Sequence, residues 1–187
     1  MAEYIIESQF VHEGKPCAIL LSKRGYRCGY VGVPKTSPLY AIGYGVDLKD
    51  IGLDIDMSTV QIGKKSIVSC LCWDGKSQRL DLICDVHGGI TYADGCPDYP
   101  VKTKHPTWWF GFDCAHAGDA RDWDAVKRNF LLKDYIREYS SDLQMKGMYP
   151  YEVEKIRSFD YVRKECENLS EQLSDIEKLL KKEGEND

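Results

Sequence analysis

From Ser158 to about Lys182 the apolar residues Phe159, Val162, Cys166, Leu169, Leu173, Ile176 and Leu180 follow one another at alternating spacings of three and four. That period gathers them on one face of a helix, whereas a strand would scatter them over two. A long helix with a single apolar stripe needs a surface to cover. Either a helix or sheet earlier in the chain supplies it, or a second copy does, because about three heptads suffice for a coiled-coil seam and a homodimer.

The upstream sequence offers a sheet. Residues 3–33 read as three short strands, YIIESQFVH, CAILLS and YRCGYVGV, separated by Gly14-Lys15-Pro16 and Arg24-Gly25, which predicts an antiparallel meander. The run SIVSCLCW (66–73), the turn signal Asp74-Gly75 and a second run from Arg79 to Val86 predict a central hairpin, in which Cys70 and Cys72 share a face as small core residues. Residues 37–57, with Gly43, Gly45 and Gly52, keep neither period and predict an extended surface loop. After residue 122 the pattern turns helical. Asp122 or Asp124 caps a helix reaching about Tyr139, with Val126, Phe130, Leu131, Tyr135 and Ile136 on its apolar face, before Gly147 and Pro150 break it. The expectation is a single α+β domain, with an antiparallel sheet of about six strands over residues 1–122 and two C-terminal helices over 123–187 packed on it.

With 187 residues the chain has room for one substantial core, and 43% hydrophobic with 29% charged residues is a globular composition. No basic and apolar leader and no run approaching 18 apolar residues is visible, so the expected setting is the cytoplasm, away from membrane. The eight cysteines then read as reduced thiols rather than disulfides. Of the net charge of −5, residues 150–187 hold −4, from eleven acids and seven bases. No basic stripe exists to grip long nucleic acid through its phosphates, whereas a small anionic ligand needs only two or three cations.

The chemistry concentrates between Cys84 and Arg121, which hold three of the four histidines and three of the eight cysteines. On a strand continuing through His87, Asp85 and His87 would project from one face, and Gly88-Gly89 would admit close backbone approach, as a metal or phosphate cradle requires. Asp94 to Asp98 is turn chemistry, although Tyr92 and Tyr99 can still line a pocket. In TWWFGFDC (107–114), Trp108, Phe110, Phe112 and Cys114 share the core face. Trp109, Gly111 and Asp113 share the other, where an indole could stack a flat ligand and a carboxylate accept its hydrogen bond. His116 and Asp119 lie where the chain leaves this strand for the first helix, a place that delivers oriented side chains and free N–H groups. Cys84, His87, Cys96, His105, Cys114 and His116 lack the spacing of a zinc site. Asp85, His87, Asp113 and His116, with Asp119, make a donor set better suited to a harder divalent metal.

Two resemblances follow from these motifs. Asp85-Val-His87 with Gly118-Asp119-Ala-Arg-Asp122 resembles the DxH and GDxxD blocks of calcineurin-like metallophosphoesterases, without the later Gly-Asn-His block. CGYVGVP (28–34), VHGGITY (86–92), WWFGFDCAHAGD (108–119) and YVRKECENLSEQL (161–173) together are similar to a family of uncharacterised small bacteriophage and prophage proteins. That second resemblance implies a phage accessory protein in the bacterial cytoplasm, a setting in which counter-defence proteins bind nucleotide signals. The leading expectation is binding of a small nucleotide-like or phosphorylated ligand. Trp109, Asp113, Gly88, Gly89 and Tyr92 would contact it, and His87, His116, Asp85 and Asp119 would serve any acid-base or metal chemistry. The rivals are an inhibitor that binds a protein through its acidic helical end, and a metal-dependent phosphodiesterase.

Overall fold

The structure is a computed structural model and describes residues 3–56, 74–148 and 154–183. Its centre is a five-stranded sheet in the order β1-β2-β3-β5-β4, antiparallel throughout. The strands are β1 (Tyr4–His12), β2 (Lys15–Ser22), β3 (Arg27–Pro34), β4 (Tyr92–Asp94) and β5 (Thr107–Asp113). Two further strands, β6 (Asp119–Ala120) and β7 (Lys155–Ile156), form a short parallel pair. The helices are α1 (Leu80–Ile83), α2 (Trp123–Asn129), α3 (Leu132–Met148) and α4 (Phe159–Glu183). The α+β class and the N-terminal meander are as the sequence pattern implied. Among the described residues no helix is long and apolar enough to cross a membrane.

The stripe on α4 finds its surface inside the chain. Val162, Cys166, Leu169, Leu173 and Ile176 are buried in one cluster with Cys17 and Ile19 of β2, Val31 and Val33 of β3, and Phe110 and Phe112 of β5. A second copy would therefore have to use another face of this helix or another surface. The approach is close enough to require glycine at residue 29, where a Cβ would lie 2.6 Å from Cys166 Sγ and 2.4 Å from the Phe112 ring. Polar contacts hold the far half of the helix: buried Lys15 donates to Ser174 Oγ and Glu177 Oε2, both at 2.8 Å.

The opposite face of the sheet is covered by aromatic side chains. Ala18, Leu20, Tyr30, Val101 and Trp109 are buried there, and Tyr4, Cys28, Tyr92 and Tyr99 pack around them. Gly111 leaves the space that Tyr30 fills, since a Cβ there would sit 2.6 Å from its ring.

Several expectations are corrected. Residues 80–83 form the helical turn α1 and not the second strand of a hairpin. Asp74 accepts from the N–H groups of Lys76 and Ser77, and Asp47 from that of Gln78. Within the segment the Leu82 and Ile83 N–H groups donate to Arg79 O and the Cys84 N–H to Leu80 O, so the backbone closes on itself and Leu80, Leu82 and Ile83 reach the core from a helical turn. The proposed partner strand at 66–73, with Cys70 and Cys72, lies outside the described residues. The segment from Ser37 onward is not a surface loop: a short 3-10 turn, Leu48–Ile51, and buried Leu39, Ile42, Leu48 and Ile55 tie it to the core. The helix expected from Asp122 to Tyr139 is two helices, because Phe130 adopts an extended conformation (φ −124°, ψ 154°) and ends α2. Asp122 does cap α2, accepting from Ala125 N at 2.9 Å. Past the break, Leu131 and Ile136 turn outward at 62% and 44% exposure, while Trp123, Val126 and Tyr135 make the contact between α2 and α3.

Leu173→Ala, in the middle of the covered stripe, is expected to cost about 3 kcal/mol through lost burial and a residual cavity. Leu131→Ala should stay within about 0.5 kcal/mol. Urea unfolding of the two variants checks the contrast.

Candidate functional site

The residues singled out in the sequence do not all meet. Trp109 is only 1% exposed, enclosed by Tyr30, Leu20, Ala18 and Val101, so its indole offers no face to a ligand. The alternation along β5 places it opposite the main core as expected, but a second aromatic layer covers that side too. Asp85 and His87 follow α1 in a turn, not a strand, so the two-residue spacing does not align them. Helix α4 holds this turn from the side: Gln172 Oε1 accepts from Asp85 N at 2.6 Å, Glu165 Oε2 accepts from His87 N at 2.8 Å, and Asn168 donates to Asp85 O at 2.8 Å.

His87, Asp119 and His116 do come together. Asp119 opens β6 with its side chain wholly buried. Its carboxylate accepts from Arg157 Nε at 2.6 Å, from His87 Nε2 at 2.8 Å and from the His116 backbone N–H at 3.0 Å. Burial alone would raise this carboxyl's pKa, but the hydrogen bonds from Arg157, His87 and the His116 N–H outweigh it and hold the group below its ordinary value. Because an ionised carboxylate only accepts, neutral His87 carries its proton on Nε2 and presents a lone pair at Nδ1. Tyr161 OH lies 3.1 Å from Nδ1 and donates to it. Arg157 lies over the Tyr161 ring at 5.0 Å and joins this cluster to a second one, since its carbonyl accepts from buried Arg27, which also pairs with Glu7 and Asp122.

His116 sits at the edge of this cluster, 5.5 Å from the His87 ring and with Nε2 3.8 Å from Asp113 Oδ1. Its Nε2 is enclosed and makes no hydrogen bond among the described residues. The cause is Gly88, which has φ +68° and lies so close beneath the imidazole that a Cβ would fall 1.9 Å from Nε2. Gly88 therefore serves a close packing contact, while Gly89 is required by its positive φ of 86°. Asp113 accepts from Thr91 Oγ1 at 3.2 Å and from Ala115 N at 3.0 Å. Cys84 and Cys114 are core residues, and burial pushes the Cys84 thiol up to about 12, away from the thiolate that a metal would need.

Among the described residues no group of three or more His, Cys, Asp or Glu side chains is arranged to hold a metal ion. The candidates Asp85, His87, Asp113 and His116 do not converge: both ring nitrogens of His87 are engaged, and the Asp119 oxygens are taken by N–H donors.

A different concavity lies on the aromatic face. A cleft of about 220 Å³ is lined by Glu3, Tyr4, Leu20, Ser22, Lys23, Arg24, Cys28 and Tyr99. Tyr4 and Tyr99 meet edge to face at 5.2 Å, and Tyr99 packs in turn on Tyr30 and Tyr92 and shares a hydrogen bond with the Tyr30 hydroxyl. Burial raises the Tyr99 hydroxyl's pKa and pushes the Cys28 thiol up to about 11, so the walls stay uncharged. Lys23 donates to Glu3 at 2.7 Å, while Arg24 is exposed and makes no ion pair among the described residues. Tyr99 was legible as a pocket residue from its turn. Tyr4, Lys23 and Arg24 were not, because as an outer-strand residue and a turn they carry no local mark of function. Arg157 and Tyr161 were missed because only the chain's return through β7 and α4 brings them to Asp119.

Comparison of the chain with protein-family models, with curated proteins and with solved structures finds no match.

Since the Asp119 pKa is lowered on folding, its contribution to stability is complete above the ordinary carboxylate range and is lost as pH falls through the lowered value. Asp119→Asn should be clearly less stable than wild type at pH 7, with the gap narrowing below about pH 4. Thermal melts between those pH values check this. A gap independent of pH would contradict it.

Proposed function

We propose that the protein binds a small anionic ligand with a flat ring, of the nucleotide type, in the Tyr4–Tyr99 cleft. The observation that carries this reading is the pairing of aromatic walls with the exposed cation Arg24 at one concavity. The walls supply apolar area and π faces for a base, and the guanidinium supplies fork-like donors for a phosphate. At about 220 Å³ the cleft is smaller than the roughly 300–1,000 Å³ usual for drug-sized ligands, which favours a mononucleotide over a larger molecule. Glu3 offsets the Lys23 charge, so the local excess is about one positive charge and suits one phosphate group.

In the phage setting that the sequence resemblance implies, such a protein would act by sequestering a nucleotide signal. The ligand class is the one expected from the sequence, and the place differs. Trp109 forms part of the buried layer behind the tyrosines instead of stacking on the ligand, and Tyr92 supports Tyr99.

Thermal-shift and calorimetric titration with nucleoside monophosphates, cyclic nucleotides and inorganic phosphate test the proposal. A nucleotide should raise the melting temperature, and Arg24→Glu and Tyr4→Ala should each weaken its affinity about tenfold or more. No response to any member of the panel, or binding that both variants leave intact, would refute it.

A further inference from the structure

We propose that Tyr161 is a nucleophile toward phosphoryl electrophiles, with His87 as its general base and Asp119 as the group that orients the base. This goes beyond ligand binding at the tyrosine cleft and does not depend on it.

Asp119, wholly buried and held as a carboxylate by Arg157 and the His116 N–H, fixes the His87 proton on Nε2 at 2.8 Å. His87 Nδ1 is then left as an acceptor, and the atom it faces, at 3.1 Å, is the Tyr161 hydroxyl. The imidazole and phenol rings meet edge-on at 87°, and the His87 side chain is 11% exposed, which shields the base from bulk water. A hydroxyl, an imidazole and a buried carboxylate in this order are the parts that make an otherwise weak oxygen nucleophile reactive. Burial pushes the Tyr161 hydroxyl up to about 12, so it is protonated at neutral pH and needs such a base.

The surroundings indicate the electrophile. Arg157 lies over the Tyr161 ring at 5.0 Å and uses Nε on Asp119, while its two terminal nitrogens make no hydrogen bond among the described residues. Tyr161 stands in the first turn of the 25-residue α4, whose N-terminus adds partial positive charge at the same place. A guanidinium fork and a helix N-terminus beside an activated hydroxyl suit the oxygens of a phosphoryl group. In the reaction Tyr161 Oη forms the bond to phosphorus and passes its proton to His87 Nδ1. The leaving group departs with the electron pair of its bond to phosphorus, and the product is an O-phosphoryl tyrosine.

A fluorophosphonate probe, which loses fluoride in this step, tests the proposal on the full chain by peptide mapping of the adduct. Tyr161 should be labelled about a hundredfold faster than any other of the twelve tyrosines, within the range that general-base assistance supplies. His87→Gln, which keeps a polar side chain but cannot take the proton, should abolish that preference in protein shown by circular dichroism to be folded. The proposal is overturned if Tyr161 reacts no faster than the exposed tyrosines, or if folded His87→Gln is labelled at the wild-type rate. Should that variant not fold, the preference within the wild-type chain decides alone.

Discussion

The carboxylate of Asp119 is the point on which four segments of the chain depend. It is fully buried, and its partners come from the turn after α1 (His87), the turn after β5 (the His116 N–H) and the segment before α4 (Arg157). A buried charge is tolerated only when its lone pairs are met by donors. Asp119 therefore fixes the positions of all three donors, and through His87 that of Tyr161 as well. Arg27, buried between Glu7 and Asp122, does the same for β1, β3 and the start of α2, and its bond to the Arg157 carbonyl links the two clusters.

The two faces of the sheet divide the remaining tasks. One face is aliphatic and aromatic and takes the stripe of α4, with Gly29 allowing contact at Cys166. The other is a layer of tyrosines around Trp109, in which burial keeps hydroxyls such as those of Tyr30 and Tyr92 protonated. The first face gives the fold its hydrophobic driving force. The second leaves the edge-to-face pair Tyr4 and Tyr99 at the rim of a concavity. Proposed binding and proposed chemistry thus occupy different places, the cleft on the tyrosine face and the buried cluster at the start of α4.

Much of the fold was legible because it is written in local periodicity. The α4 stripe, the three N-terminal strands and the alternation along β5 each need only neighbouring residues to be read. Where reading failed, a nonlocal or side-chain effect intervened. Residues 80–83 form a helical turn in which the Leu82 and Ile83 N–H groups donate back to Arg79 O, while the Asp81 N–H reaches Tyr44 O from a distant part of the chain. Trp109 was read as a stacking platform because strand alternation says which face it occupies and nothing of what covers that face. Of the candidate site, His87, His116 and Asp119 were identified and do meet, but Asp85 was tied to His87 by a strand that does not form. The glycines after His87 were read as room for a ligand, whereas Gly88 makes room for the His116 ring. Arg157 and Tyr161 stand 38 and 42 residues beyond Asp119, and no spacing rule spans that distance.

The central claim is that a buried Asp119 carboxylate sets the tautomer of His87 and thereby aims a basic nitrogen at Tyr161. Nitrogen-15 NMR of the histidine side chains in labelled protein at pH 8 reads this directly. The account predicts His87 protonated on Nε2, with Nδ1 showing the shift of a hydrogen-bond acceptor. Protonation on Nδ1, with Nε2 unprotonated, would contradict it.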